Sequence, residues 1–181
     1  MRCPMPYRKK SMEELRRLSP VEYATAPKIP LALVLDDIRS ANNVGSLFRT
    51  ADCFALVHVY LCGITAQPPH RDILKTALGA TETVSWSYHQ NSANLVFALT
   101  RCGIAVHALE QTEGSVPLRE FAPALSSGMA LVVGNEVKGV QQTVLDLCTG
   151  TLEIAQYGTK HSLNVAVAGG MAIYELSELF R

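Results

Sequence analysis

Short apolar runs alternate with helical patterns along most of this chain, and this alternation constrains its fold more than any other feature. Leu31–Leu35 is a continuous apolar run, the pattern of a strand buried on both faces. Further strand candidates lie at 57–62, 84–88, 104–109, 129–133 and 151–154. Helical patterns lie between and after them, at 43–54, 73–78, 92–101, 140–148 and 162–180. The alternation predicts an α/β fold, a mostly parallel sheet with helices on both faces.

Size and composition narrow the class of protein further. The 181 residues suit one domain with one sizeable core, and 48% apolar with 18% charged residues is a globular composition. No apolar segment follows Met1, and the longest apolar run, 165–174, is half of the roughly 20 residues that a membrane helix needs. The five cysteines lack the close spacing of zinc ligands. We therefore expect a soluble, cytoplasmic protein with reduced cysteines, no metal and no membrane contact.

The charge is unevenly distributed along the chain. Residues 1–28 carry seven basic and three acidic side chains, a net charge of +4, and because the whole chain is neutral the remainder carries −4. We expect a basic N-terminal extension at 1–28 and a single domain at 29–181. Ser11 and Glu14 have capping-box spacing, which predicts a helix to about Leu18, and Pro27 and Pro30 predict a linker. The basic extension is either a phosphate-binding tail or an ordinary solvated helix.

Polar and glycine-rich segments follow four of the predicted strands, after Leu35, Leu109, Val133 and Ile154. In a parallel sheet the carboxyl ends of the strands lie at one edge, where ligands bind. In the first segment, Gly45 permits close approach of a ligand or of another element. Arg49 lies in apolar company, so its guanidinium either has a functional partner or reaches solvent along the helix surface.

The segments after Val133 and after Ile154 also combine polar groups with small residues. Gly134 allows close backbone approach, and Glu136 can accept hydrogen bonds from a ribose or a cation, or simply cap a turn. Ser162 is a candidate N-cap, whereas Asn164 in the first turn of that helix has no local explanation. The small residues at 166–170 predict tight packing against a helix or a partner subunit. The chain has neither a P-loop nor a G-x-G-x-x-G fingerprint, which argues against a nicotinamide-dependent oxidoreductase.

Taken together and in this order, the segments resemble the SpoU/TrmH family of RNA 2′-O-ribose methyltransferases, of the SPOUT superfamily. The resemblance runs from about Leu31 to Leu179. It rests on Asn-x-Gly-x-x-x-Arg-Thr-Ala at 43–51, Gly-Asn-Glu-x-x-Gly at 134–139, Ser-Leu-Asn-Val-x-Val-Ala at 162–168, and Lys-Thr-Ala-Leu-Gly-Ala at 75–80. One departure is Ile-Ala-Gln-Tyr-Gly at 154–158, where the family often has Ile-Pro-Met-x-Gly.

The resemblance implies a C-terminal deep trefoil knot, a bent S-adenosylmethionine held largely by main-chain groups, and a homodimer whose active site draws on both subunits. The matching polar active-site residues are Asn43, Arg49, Glu136, Ser162 and Asn164. The expected cofactor-contact residues are Leu109, Gly134, Asn135, Ile154 and Leu163. The expected RNA-binding residues are Arg8, Lys9, Lys10, Arg16, Arg17 and Lys75.

The resemblance also implies a reaction, the methylation of a ribose 2′-hydroxyl in tRNA or rRNA. Because arginine stays charged, we expect Arg49 to hold a phosphate and to stabilise the developing alkoxide, with Ser162 positioning it. The alternative is a non-catalytic RNA-binding or assembly protein on the same knotted fold. The joint presence of the five active-site residues favours the enzyme.

Overall fold

A computed structural model describes residues 7–11, 13–123 and 128–180 of the chain. Within these residues one sheet has the strand order β3-β2-β1-β6-β4-β7-β5, and every neighbouring pair is parallel. The strands are β1 (Ile29–Asp36), β2 (Leu56–Cys62), β3 (Trp86–His89), β4 (Ala105–Leu109), β5 (Val116–Pro117), β6 (Met129–Val133) and β7 (Gly150–Glu153). The predicted parallel sheet is confirmed.

Helices cover both faces of this sheet, as the alternating pattern predicts. They are α1 (Pro20–Thr25), α2 (Ala41–Cys53), α3 (Arg71–Ala77), α4 (Ala80–Thr83), α5 (Ser92–Arg101), α6 (Gln142–Leu145) and α7 (Val165–Ser177), with 3-10 turns at Leu118–Glu120 and Glu178–Phe180. Phe48 of α2 and Ile173 of α7 pack with Leu33 on one face, and Val96 of α5 packs with Val34 on the other. No helix of the described residues is long and apolar enough to cross a membrane.

The N-terminal segment differs from its sequence prediction. The helix predicted from Ser11 to Leu18 is wrong: residues 13–16 form a turn, although the backbone N–H of Ser11 and the carboxylate of Glu14 do hydrogen bond. Helix α1 begins instead at Pro20, because Ser19 and Glu22 form a complete capping box and proline suits the first helical position. Pro30 lies within β1 and not in a linker.

Two helices near the site are shorter than predicted. The helix expected at 140–148 is reduced to α6: Gln141 has an extended backbone, with ψ 139°, and its N–H binds Asp36 Oδ2 at 3.0 Å, so the helix begins only at Gln142. The last helix begins at Val165, and Asn164 is its N-cap: Asn164 Oδ1 accepts hydrogen bonds from the N–H groups of Ala166 and Val167. The predicted N-cap role of Ser162 is therefore wrong, and Asn164 precedes the first turn.

Two glycines allow helices to approach one another closely. A Cβ on Gly45 would lie 2.1 Å from Thr76 Oγ1 and 2.3 Å from the carbonyl oxygen of Ile73, so the element that approaches Gly45 is α3. A Cβ on Gly169 would lie 2.7 Å from Leu47 Cδ2, so this glycine seats α7 on α2. The tight packing that the small residues of α7 predict is therefore present within one chain.

Candidate active site

A cavity of about 360 Å³ opens at the carboxyl edge of the sheet, among the segments that follow β4, β6 and β7. Its volume lies within the range typical of small-molecule sites, about 300–1,000 Å³. The five residues expected to contact the cofactor all line it: Leu109, Gly134, Asn135, Ile154 and Leu163. Segments that are distant in sequence therefore converge on one pocket.

The turn at 135–139 forms one wall of this cavity. Two backbone hydrogen bonds close it, from Asn135 N–H to Gly139 O at 3.0 Å and from Gly139 N–H to Asn135 O at 2.9 Å. Asn135 Oδ1 also accepts hydrogen bonds from the N–H groups of Val137 and Lys138. A Cβ on Gly134 would lie 2.2 Å from the backbone nitrogen of Val140. Glycine is therefore required at 134 by the turn itself.

Glu136 joins this turn to the start of α2. Its Oε2 accepts a hydrogen bond from Arg39 N–H at 2.8 Å, and its Oε1 accepts from Ser40 N–H at 3.0 Å and from Asn43 Nδ2 at 2.9 Å. Partial burial raises the pKa of Glu136, but the hydrogen bonds from Arg39, Asn43 and Ser40 outweigh it, so the pKa lies below its ordinary value. The group is an ionised acceptor at neutral pH.

Asn43 links Glu136 to the last helix. Asn164 Nδ2 donates a hydrogen bond to Asn43 Oδ1 at 3.1 Å, while Asn43 Nδ2 donates to Glu136. The hydrogen-bonded series Glu136–Asn43–Asn164 contains one residue from each of the three motifs. Asn164, which lacks a local explanation in the sequence, has two functions: it caps α7 and fixes Asn43.

Arg49 and Ser162 lie outside this network. Both are exposed, and neither side chain makes a hydrogen bond or ion pair with any other described residue of the chain. Ser162 lines the cavity, whereas Arg49 lies on the exposed surface of α2. The expected contact in which Ser162 positions Arg49 is not present within one chain.

The basic extension joins the sheet at the amino ends of the strands, opposite to the carboxyl ends where the cavity lies. Tyr23 of α1 donates a hydrogen bond from its hydroxyl to Asp52 O, near the end of α2, and the chain then enters β1 at its amino end. Arg8 pairs with Glu14 at 2.6 Å, and the other predicted RNA-binding residues are exposed: Lys9, Lys10, Arg16, Arg17 and Lys75. The eight residues of β1 span about 26 Å between the amino and carboxyl ends of the strand.

Sequence reasoning missed two carboxylates that hold the loops around the cavity. Asp36 is fully buried and accepts hydrogen bonds from Ser92 Oγ and from both nitrogens of Gln141. Glu110, which lines the cavity, accepts from Val140 N–H at 2.9 Å. Each comes at or directly after the end of a buried strand, and a carboxylate in that place is the signal that could have identified them.

The motifs that meet at this cavity also lie within the segment that identifies the family of the chain. Residues 30–174 match the sequence profile of the SpoU rRNA Methylase family. The chain belongs to this family. The resemblance to SpoU/TrmH proteins is thus confirmed over most of the sequence.

Three relatives show how this SpoU-family chain compares with known proteins. It is 33% identical over 153 residues to the 23S rRNA (guanosine(2553)-2′-O)-methyltransferase RlmP of Bacillus subtilis, covering 84% of this chain and 59% of the relative. It is 30% identical over 146 residues to the 23S rRNA (guanosine-2′-O-)-methyltransferase RlmB of Vibrio vulnificus, covering 81% and 58%. The crystal structure of an AdoMet-bound rRNA methyltransferase from Sinorhizobium meliloti superposes with a TM-score of 0.75 at 25% identity, covering 88% and 60%. The chain thus spans less than two thirds of the length of each.

Proposed function

We propose that this protein transfers a methyl group from S-adenosylmethionine to a ribose 2′-hydroxyl of a structured rRNA or tRNA. The observation that carries the proposal is the hydrogen-bonded chain Glu136–Asn43–Asn164, which joins the three family motifs beside the cavity. The names of the rRNA methyltransferase relatives supply the substrate class. The cysteines of the described residues are all free, which favours the reducing cytoplasm as the location: Cys53, Cys62, Cys102 and Cys148.

The cavity suits S-adenosylmethionine in size and chemistry. Leu109, Ile154 and Leu163 offer apolar contacts for the adenine ring, and the main chain of the 135–139 turn offers polar groups. Gln156 replaces the family's more usual methionine in this wall, and it lines the cavity. When bound, the cofactor supplies an electrophilic methyl group on its sulfonium.

The chain's own residues must orient the ribose and stabilise its developing charge. Glu136 already accepts three hydrogen bonds, so its task is to hold α2 against the turn rather than to remove a proton. Arg49 supplies an exposed, permanently charged guanidinium for the target's phosphate and for the developing alkoxide. Ser162, at the cavity wall, positions the target or a neighbouring cation.

The proposal includes the knot and the dimer of the family. After β7, near one side of the sheet, the chain returns through the cavity wall, and α7 packs against α2 and β1 in the middle of the sheet; a passage through a loop fits this route. Helix α7 also exposes Val167, Met171 and Tyr174, an apolar stripe at helical spacing. Such a stripe is typical of an interface, and we assign it to a second copy of this chain.

The first expected result is incorporation of labelled methyl groups into RNA. Purified protein incubated with methyl-labelled S-adenosylmethionine should label a folded rRNA or tRNA, and a 2′-deoxy nucleotide at the target position should abolish the labelling. Mapping 2′-O-methyl sites in RNA from cells with and without the protein identifies that nucleotide. Cofactor binding without transfer to any RNA would contradict the proposal and favour the non-catalytic alternative.

The second expected result concerns the basic extension. Deleting residues 1–18, which spares α1, should weaken RNA binding tenfold or more. It should also reduce the slope of log affinity against log salt by about 0.7–0.9 for each phosphate that the shortened protein no longer neutralises. Cofactor affinity should not change, because the extension joins the amino end of β1, and the length of this strand, about 26 Å, separates it from the end where the cavity lies. Arg101→Gln, at the exposed end of α5, is the control cation. An unchanged salt slope would show that the extension does not bind RNA.

A further inference from the structure

Asp37 has an unusual backbone conformation immediately beyond β1. Its φ is +55°, in the left-handed region, which is unfavourable for a residue with a Cβ. Aspartate tolerates this region better than most residues do, and residues held there often lie at functional sites. Asp37 is not among the residues that line the cavity, so any effect on the site must act through its neighbours.

The loops that follow β2 and β6 both bind this residue at the carboxyl ends of the strands. The main-chain oxygen of Asp37 accepts a hydrogen bond from Asn135 Nδ2 at 2.7 Å, in the turn that follows β6. Its Oδ1 accepts from Ile64 N–H at 2.9 Å, in the loop that follows β2. Its Oδ2 accepts from Gln141 Nε2 at 3.2 Å, directly beyond the turn. The left-handed conformation places the carbonyl and the carboxylate so that all these contacts form together.

The β2 loop is pressed tightly against this carboxylate. Gly63 has φ +59°, and a Cβ on it would lie 1.9 Å from Asp37 Oδ1, so glycine alone fits there. On the other side of Asp37, Thr65 Oγ1 accepts from Ile38 N–H at 2.9 Å and donates to Leu35 O. The loop is thus fixed on both sides of Asp37 and gives its carboxylate a rigid support.

We propose that Asp37 is a positioning residue for S-adenosylmethionine, which rests on the function proposed above. Asn135 lines the cavity, and both ends of its amide are in use: Oδ1 orders the turn internally, and Nδ2 binds the Asp37 carbonyl. The Asp37 carboxylate holds that carbonyl in place by anchoring to the β2 loop. Loss of the carboxylate frees the turn, and the cavity wall loses its alignment although every residue that touches the cofactor is still present.

Three substitutions separate the backbone role from the side-chain role. Asp37→Gly keeps the left-handed conformation but removes both hydrogen bonds of the carboxylate, so the Kd for S-adenosylmethionine should rise about tenfold, while kcat at saturating cofactor stays within about threefold. Asp37→Asn keeps an acceptor for Ile64 and tolerates positive φ, so its Kd should stay within about threefold of the wild type. Asp37→Ala removes the same hydrogen bonds and strains the backbone, and should bind most weakly.

Calorimetry measures the Kd of each variant for S-adenosylmethionine, and steady-state kinetics measure its KM and kcat. The thermal midpoint of each variant shows whether its stability has changed as well. A glycine variant that binds the cofactor as tightly as the wild type but unfolds at lower temperature overturns the proposal, because Asp37 is then only structural. If the glycine variant does not fold, equal Kd values for Asp37→Ala and Asp37→Asn overturn it instead. A wild-type protein that binds no S-adenosylmethionine overturns the proposed function as well, and this appears before any variant is compared.

Discussion

Replacing Arg49 with alanine is expected to lower kcat for methyl transfer about 100-fold, the typical effect of removing one group that stabilises a developing oxyanion. The Kd for S-adenosylmethionine should stay within about threefold, because Arg49 is not among the residues that line the cavity. Stability should change little, since the side chain is exposed and has no partner among the described residues of the chain. Single-turnover transfer at saturating cofactor and RNA measures the effect.

Charge and geometry can be separated at the same position. Arg49→Lys keeps the positive charge but loses the planar, five-donor guanidinium, so it should recover part of the lost rate. Arg101→Ala removes another exposed arginine, at the end of α5, and should leave kcat unchanged. A rate within a few-fold of the wild type for Arg49→Ala would remove Arg49 from the reaction.

The isolation of the Arg49 side chain within one chain leads to a test of the proposed dimer. Asn43, Glu136 and Asn164 bind one another, whereas Arg49 binds none of them in the same chain, so its guanidinium is available to the cavity of a second copy. Co-expressing the Arg49→Ala chain with a Glu136→Ala chain should then restore activity, because one of the two shared sites in each mixed dimer retains both residues. Two inactive parents that do not complement would show that each chain supplies its own Arg49.

The central strands and their flanking helices could be predicted from the sequence because each pattern there has one interpretation. A fully apolar run such as Leu31–Leu35 fits only a buried environment, and α5 has both a capping residue, Asn91, and a glycine after its end. The predictions of helices and strands fail where contacts between residues distant in sequence determine the local structure. Asp36 binds the extended Gln141 across 105 residues, directly before α6, and β5 has only two residues, too few for a pattern.

The residues of the candidate site could likewise be predicted only in part. Motif matching brought Asn43, Glu136 and Asn164 to attention, and the structure joins them by hydrogen bonds. The positive φ of Asp37 has no sequence signal, because aspartate is common in many backbone conformations. Its role depends on Asn135, almost a hundred residues away, and on a β2 loop whose composition suggests only a turn. Residues that belong to a family motif are therefore easier to predict than those that hold a motif in place.

Glu136→Ala should lower the free energy of unfolding by about 1–3 kcal/mol and weaken S-adenosylmethionine binding tenfold or more. The substitution leaves the N–H groups of Arg39 and Ser40 without their acceptor and releases Asn43, so the start of α2 separates from the turn that forms the cavity wall. Glu82→Ala, an exposed glutamate on α4, is the matched control and should stay within about 0.5 kcal/mol. Urea denaturation and calorimetry measure the two effects.

The pH dependence of that loss distinguishes an ionised Glu136 from a merely well-packed one. Because its pKa is lowered in the folded protein, its contribution is complete above the unfolded value of about 4.3 and disappears as pH falls through the lower folded value. The difference in unfolding free energy between the wild type and Glu136→Gln should therefore be constant from pH 6 to 8 and shrink below about pH 4. Glutamine keeps the size of the side chain but presents an amide donor to backbone N–H groups, so a difference that persists undiminished at pH 3 would show that shape, and not charge, makes this contact.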